Sequence, residues 1–124
     1  MEKILIVDDS ILQAAQLKKI LDDEYDVTTA HTAEEGLRLA SADNYSLILL
    51  DVVMPGMDGF TLLKKLQEEI ITQNVPVILI TSLSDVEHEQ YGLILGAVDY
   101  ITKPFNAMIV KARVNTHVKL YNYR

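Results

Sequence analysis

The sequence contains no cysteine, which removes disulfide frameworks, thiol nucleophiles and cysteine-based zinc sites together. Positive charge is scarce: 11 lysines and arginines stand against 18 aspartates and glutamates, a formal charge of −7. Direct binding of a nucleic-acid duplex is therefore disfavoured. No apolar run approaches the roughly 18 residues that a membrane span requires, and the opening MEKILIVDDS holds a run of only four. No targeting signal is visible, so a cytoplasmic protein with no membrane contact is expected. Two glycine-built phosphate sites are also missing, the dinucleotide fingerprint and the phosphate loop. What remains is 124 residues, 49% apolar and 23% charged. That is one folded domain, able to bury roughly two-thirds of its unfolded surface without cross-links.

Five short apolar runs recur, Ile4 to Val7, Tyr25 to Ala30, Leu47 to Leu50, Val75 to Ile80 and Ala97 to Ile101. Between them the apolar spacing is helical, as in Leu12, Ala14, Ala15, Leu17, Ile20 and Leu21. Ser10 with Gln13, Thr32 with Glu35 and Ser84 with Glu87 match the capping box, which satisfies free N–H groups at a helix start. Asp58 caps a third helix after Pro55-Gly56, Asn106 caps a fifth over about 106–122, and Gly96 ends the fourth. Five β-α repeats predict an α/β fold, a doubly wound five-stranded parallel sheet with helices on both faces. The second run alternates polar with apolar residues and belongs at an edge; the first, third and fourth are apolar nearly throughout, as central strands must be.

The unusual polar residues fall where these runs stop: Asp8 and Asp9, Asp51, Thr81, and Lys103. A parallel sheet brings its carboxyl ends to one rim, where open α/β sheets bind ligands. Strands lie about 4.8 Å apart, so Asp8, Asp9 and Asp51 share one ion only if strands one and three are neighbours. Order 2-1-3-4-5 meets that condition, whereas 3-2-1-4-5 places a strand between them. Three carboxylates so placed repel one another, and a divalent cation accounts for them better than solvation at loop ends. Oxygen ligands with water suit Mg²⁺, which keeps open positions for phosphate oxygens. Lys103 adds a compact positive charge and Thr81 a hydroxyl. Asp51, central among these groups, is a candidate nucleophile, since carboxylates form aspartyl-phosphates.

ILIVDDS, LILLDVVMPGMDGF, ILITS and GAVDYITKPF, in this order and at these spacings, resemble a response-regulator receiver domain of two-component signalling over residues 2 to 120. The resemblance implies a flavodoxin-like fold with the same strand order, so the two readings of that order are not independent. It implies that Asp51 accepts a phosphoryl group from a sensor histidine kinase or phosphotransfer protein. Asp9 and Asp51 would ligate Mg²⁺ with the backbone carbonyl of Val53, Asp8 acting mainly through water. Thr81 and Lys103 would bind phosphoryl oxygens. Thr81 and Tyr100 would be the switch residues, reshaping the face of helix four, strand five and helix five. The Lys103-Pro104 bond would be cis. Asp99 and Arg113 match positions that pair across a dimer in transcription-factor receivers.

Val53 and Leu83 are apolar where faster family members carry polar side chains that orient water, so slow self-dephosphorylation is expected. The end ARVNTHVKLYNYR resembles receivers tethered to an output module, though a free-standing regulator fits too. His31, His88 and His117 show no ligand spacing and are read as surface or packing residues; Met54, Met57 and Met108 are read as gap fillers. Two rivals remain. A haloacid-dehalogenase-type phosphatase or phosphotransferase also uses an aspartyl nucleophile, but needs a second Asp where this chain has Val53. A pseudo-receiver that only binds partners is disfavoured by the complete set of Asp8, Asp9, Asp51, Thr81 and Lys103.

Overall fold

The computed structural model describes residues 1–82 and 86–123. Among them ten elements alternate: β1 (Lys3–Val7), α1 (Ile11–Leu21), β2 (Asp26–Ala30), α2 (Ala33–Ala42), β3 (Leu47–Asp51), α3 (Gly59–Glu68), β4 (Val77–Ser82), α4 (Val86–Leu95), β5 (Asp99–Lys103) and α5 (Ala107–Asn122). Every pairing is parallel and the order is β2-β1-β3-β4-β5. Strands one and three are neighbours, as sharing one ion demands.

The helix starts follow from their capping side chains. Ser10 Oγ accepts the Gln13 N–H at 3.2 Å, Thr32 Oγ1 that of Glu35 at 3.0 Å, Asp58 Oδ1 that of Thr61 at 2.8 Å and Asn106 Oδ1 that of Ile109 at 3.1 Å. Each satisfies an N–H that the helix leaves unpaired. The Ser84 cap expected for α4 lies outside the described residues, as does Leu83. Gly96 closes α4 with φ at +115°, a backbone conformation that favours glycine.

Strand alternation divides the core into two layers. Ile4, Ile6, Leu47, Leu49, Ile78, Ile80 and Ile101 face Leu17 and Leu21 of α1 and Val110, Val114 and Val118 of α5. Leu5, Val7, Ile48, Leu50, Val77 and Leu79 face Ala33 and Ala40 of α2 and Leu62, Leu63 and Leu66 of α3. A one-residue slip of any central strand would exchange these faces, and each large apolar side chain lost from the core costs about 1.5–3 kcal/mol. The register, and with it the height at which each strand stops, is thereby fixed. By contrast, α4 buries only Gly92.

β4 and β5 begin two residues later than the apolar runs that announced them. Pro76 has no N–H to give to a ladder, and Val75 and Ala97 are buried, at 9% and 7% exposure, as packing for the connections. Met54 is buried at 6% and Met57 packs beside it, but Met108 is 82% exposed and fills no gap. No helix among the described residues is long and apolar enough to cross a membrane.

Candidate functional site

Strand register carries the polar residues stepwise along one rim. Val7 pairs with Leu50, so Asp8 comes level with Asp51. Asp51 pairs with Ile80, and Thr81 stands one residue beyond. Thr81 pairs with Thr102, and Lys103 stands one beyond again. Residues 95 positions apart in sequence thus meet because four strands are consecutive in the sheet. α3 closes the site from one side: its first residue, Gly59, lies so near the acceptor strand that a Cβ would fall 2.3 Å from the Asp51 carbonyl oxygen. Only glycine fits there without moving backbone.

Asp8, Asp9 and Asp51 each offer a carboxylate oxygen within 4.8 Å of the others. Asp8 is fully buried and Asp51 is 3% exposed, while Asp9 is open to solvent. Asp51 Oδ1 accepts the Val53 N–H at 3.1 Å and Oδ2 accepts from Lys103 Nζ at 3.3 Å. Asp8 Oδ1 accepts the Ser10 N–H at 2.9 Å. Among the described residues Asp8 Oδ2 is buried with no hydrogen-bond partner; Lys103 Nζ comes only to 3.9 Å. Burial pushes the Asp8 carboxyl up to about 7; Asp51 adds to the rise, against the Ser10 N–H and Lys103. An orphaned buried oxygen beside two more carboxylates fits a hard, oxygen-preferring cation, whose charge would relieve both the desolvation and the repulsion.

Thr81 is 1% exposed. Its hydroxyl donates to Glu89 Oε2 on α4 at 3.2 Å, with the Ile101 carbonyl oxygen at 3.5 Å. Tyr100 is half-buried against the Leu79 layer, with the Arg113 guanidinium 5.3 Å from its ring centroid. The Lys103-Pro104 peptide bond is cis. Val53 is 63% exposed.

Asp99 and Arg113, expected as partners across two chains, approach each other within one, at 4.0 Å. Asp99 also binds His117 Nε2 at 3.1 Å, and Arg113 donates to the Tyr100 carbonyl. His117 is thus a paired residue rather than a bystander. Two neighbours of the site were not foreseen. Glu89 is one; the other is His31, whose Nδ1 lies 3.1 Å from the Asp8 carbonyl oxygen. A cavity of about 780 Å³ bounded by Leu66, Gln67, Val75, His117 and Tyr121 is lined by none of the predicted site residues, although His117 in its wall binds Asp99.

Against known proteins, the response regulator receiver domain family matches residues 4–115. The response regulator PleD of Caulobacter vibrioides is 41% identical over 115 residues, 92% of this chain and 25% of that protein. The transcriptional regulatory protein CiaR of Streptococcus pneumoniae is 40% identical over 119 residues, 96% of this chain and 52% of that protein. The chain therefore spans about a quarter and about half of the length of these relatives. The receiver domain of Francisella response regulator 1452 superposes with a TM-score of 0.86 at 37% identity, covering 96% of this chain and 98% of that one. With the strand order, the acidic cluster and the lysine already in place, these matches show that the chain belongs to the response regulator receiver domain family.

Proposed function

We propose that Asp51 is the phosphoacceptor of this receiver domain, taking its phosphoryl group from a sensor histidine kinase or a phosphotransfer protein in the cytoplasm. The observation that carries this reading is a nearly buried Asp51 carboxylate bound by Lys103 Nζ at 3.3 Å within the cluster of three carboxylates. Asp9, Asp51 and the Val53 carbonyl would hold Mg²⁺, with Asp8 acting through water; the ion supplies positive charge against the phosphoryl oxygens. One Asp51 oxygen forms the new P–O bond as the P–N bond to the donor histidine breaks. The leaving imidazole keeps the electron pair and recovers a proton from solvent. Lys103 and Thr81 bind phosphoryl oxygens, so the chain's own contribution is position and charge. Ile11 and Leu12, 69% and 71% exposed at the start of α1, give the donor an apolar surface beside Asp9.

The added charge, about −2, acts through Thr81 and Tyr100 on the face of α4, β5 and α5 and so on an output domain or partner. Dimerisation through that face belongs to the same reading; Asp99 and Arg113 would then exchange the contacts they make in their own chain for the partner's. The exposed, apolar Val53 offers no polar group to orient water, which favours a long-lived adduct.

Incubation with acetyl phosphate and Mg²⁺ followed by intact mass tests the assignment. A single phosphoryl adduct is expected, absent in Asp51→Asn and absent with chelator. An adduct that persists in Asp51→Asn refutes the acceptor; steady turnover of phosphate esters favours the dehalogenase-type enzyme.

A further inference from the structure

We infer that Glu89 is a positioning residue that holds the Thr81 hydroxyl in the unphosphorylated protein and competes with the phosphoryl group for it, an inference that rests on the receiver reading above. Thr81 has one hydroxyl proton, and it can donate to one acceptor at a time. Among the described residues two acceptors are within reach, the Glu89 carboxylate at 3.2 Å and the Ile101 carbonyl at 3.5 Å. The carboxylate is both nearer and charged, and charged acceptors make the stronger bonds. A phosphoryl oxygen on Asp51 needs that same proton. Phosphorylation and the Glu89 bond are therefore mutually exclusive.

The consequence runs through α4, whose far end is held by Leu95, packed on the core and accepting at its carbonyl from Gln67 of α3 at 2.7 Å. Gly92 is its one buried residue, seated so closely that a Cβ would lie 1.9 Å from Leu79 Cδ1. The rings of Tyr91 and His88 meet Phe60 of α3 edge-on, with centroids 4.8 and 5.4 Å away. Glu89 adds a polar tie from this helix, near its start, to a buried group at the rim. Glu89 is half-buried, so once released its carboxylate can turn to water instead of being stranded. Loss of one hydrogen bond then frees α4 at its end nearest the site, and Glu89 sets how much the switch costs.

The test is the affinity for beryllium trifluoride, an acyl-phosphate mimic, measured by calorimetry with saturating Mg²⁺. Glu89→Ala removes the competitor and is expected to bind about 5- to 10-fold more tightly, the worth of one modest hydrogen bond; Glu89→Gln, which keeps a neutral acceptor, falls between. In a Thr81→Ala background, Glu89→Ala is expected to change nothing. A merely structural role for Glu89 would act in both backgrounds, so an equal gain in each overturns the inference. Unchanged or weaker binding by a folded Glu89→Ala, checked by circular dichroism, overturns it too. Failure of the wild-type protein itself to bind the mimic would instead overturn the receiver reading.

Discussion

Replacing Asp8 by Asn removes a charge that the metal-free fold accommodates poorly. Asp8 is fully buried, one of its oxygens has no hydrogen-bond partner among the described residues, and its carboxyl is pushed from 3.8 up to about 7, first by burial and then by Asp51. In the unfolded chain it ionises near its ordinary value. Between roughly pH 4 and pH 7 the folded chain therefore holds a proton that the unfolded chain has lost. Stability linked to Asp8 is fully present below pH 4, falls as pH rises, and is gone above pH 7. A difference of about three pH units corresponds to at most about 4 kcal/mol. Asn keeps an oxygen for the Ser10 N–H, which Asp8 now satisfies at 2.9 Å, and carries no charge. Urea unfolding in chelator, comparing wild type with Asp8→Asn across pH 4 to 8, isolates the effect from the other acidic groups. The variant should gain relative stability with rising pH, up to a few kcal/mol by pH 8. Adding Mg²⁺ at pH 8 should stabilise the wild type by RT ln(1 + [Mg²⁺]/Kd) and the variant much less. A stability difference that is flat with pH, or that runs in the opposite direction, would refute the reasoning.

Two further substitutions probe the lifetime of the adduct and the seating of α4. Val53→Asn places a polar side chain beside the acceptor where an apolar one is now 63% exposed; the phosphoryl adduct should decay on the order of tenfold faster as water is oriented, and an unchanged half-life by timed intact mass removes the idea. Gly92→Ala puts a Cβ 1.9 Å from Leu79 Cδ1. The overpacking cost of about 1–3 kcal/mol should exceed the helix-propensity gain of about 1 kcal/mol, so net stabilisation in urea would contradict the close seating of α4.

The central strands were legible because burial on both faces leaves no room for polar residues: Leu47 to Leu50 can be little else. Helix starts at Ser10, Thr32, Asp58 and Asn106 were legible because capping is local chemistry, settled within four residues. The apolar runs overshoot the starts of β4 and β5 by two residues because Val75 and Ala97 are apolar for a different reason, packing at the connections. The meeting of Asp8, Asp51 and Lys103 is legible in the sequence, since strand order and a common rim suffice. Glu89 is not. Its contact with Thr81 depends on the rotation and seating of α4, a helix with one buried residue and no apolar stripe to orient it. Asp99 and Arg113 show the same limit: the pairing of residues with the correct charges was foreseeable, but their meeting within one chain depends on how α5 lies against β5.

The two outermost strands carry a last consequence. β2 presents Asp26, Thr28 and Thr29 and buries Val27 and Ala30, while β5 presents Asp99 and Lys103 and buries only Ile101. Charged and hydroxyl side chains at both margins discourage another molecule from adding a strand there. Association of copies through the α4, β5 and α5 face proposed above, without strand addition at either margin, would leave each five-stranded ladder complete in itself and the backbone bonding of the sheet intact.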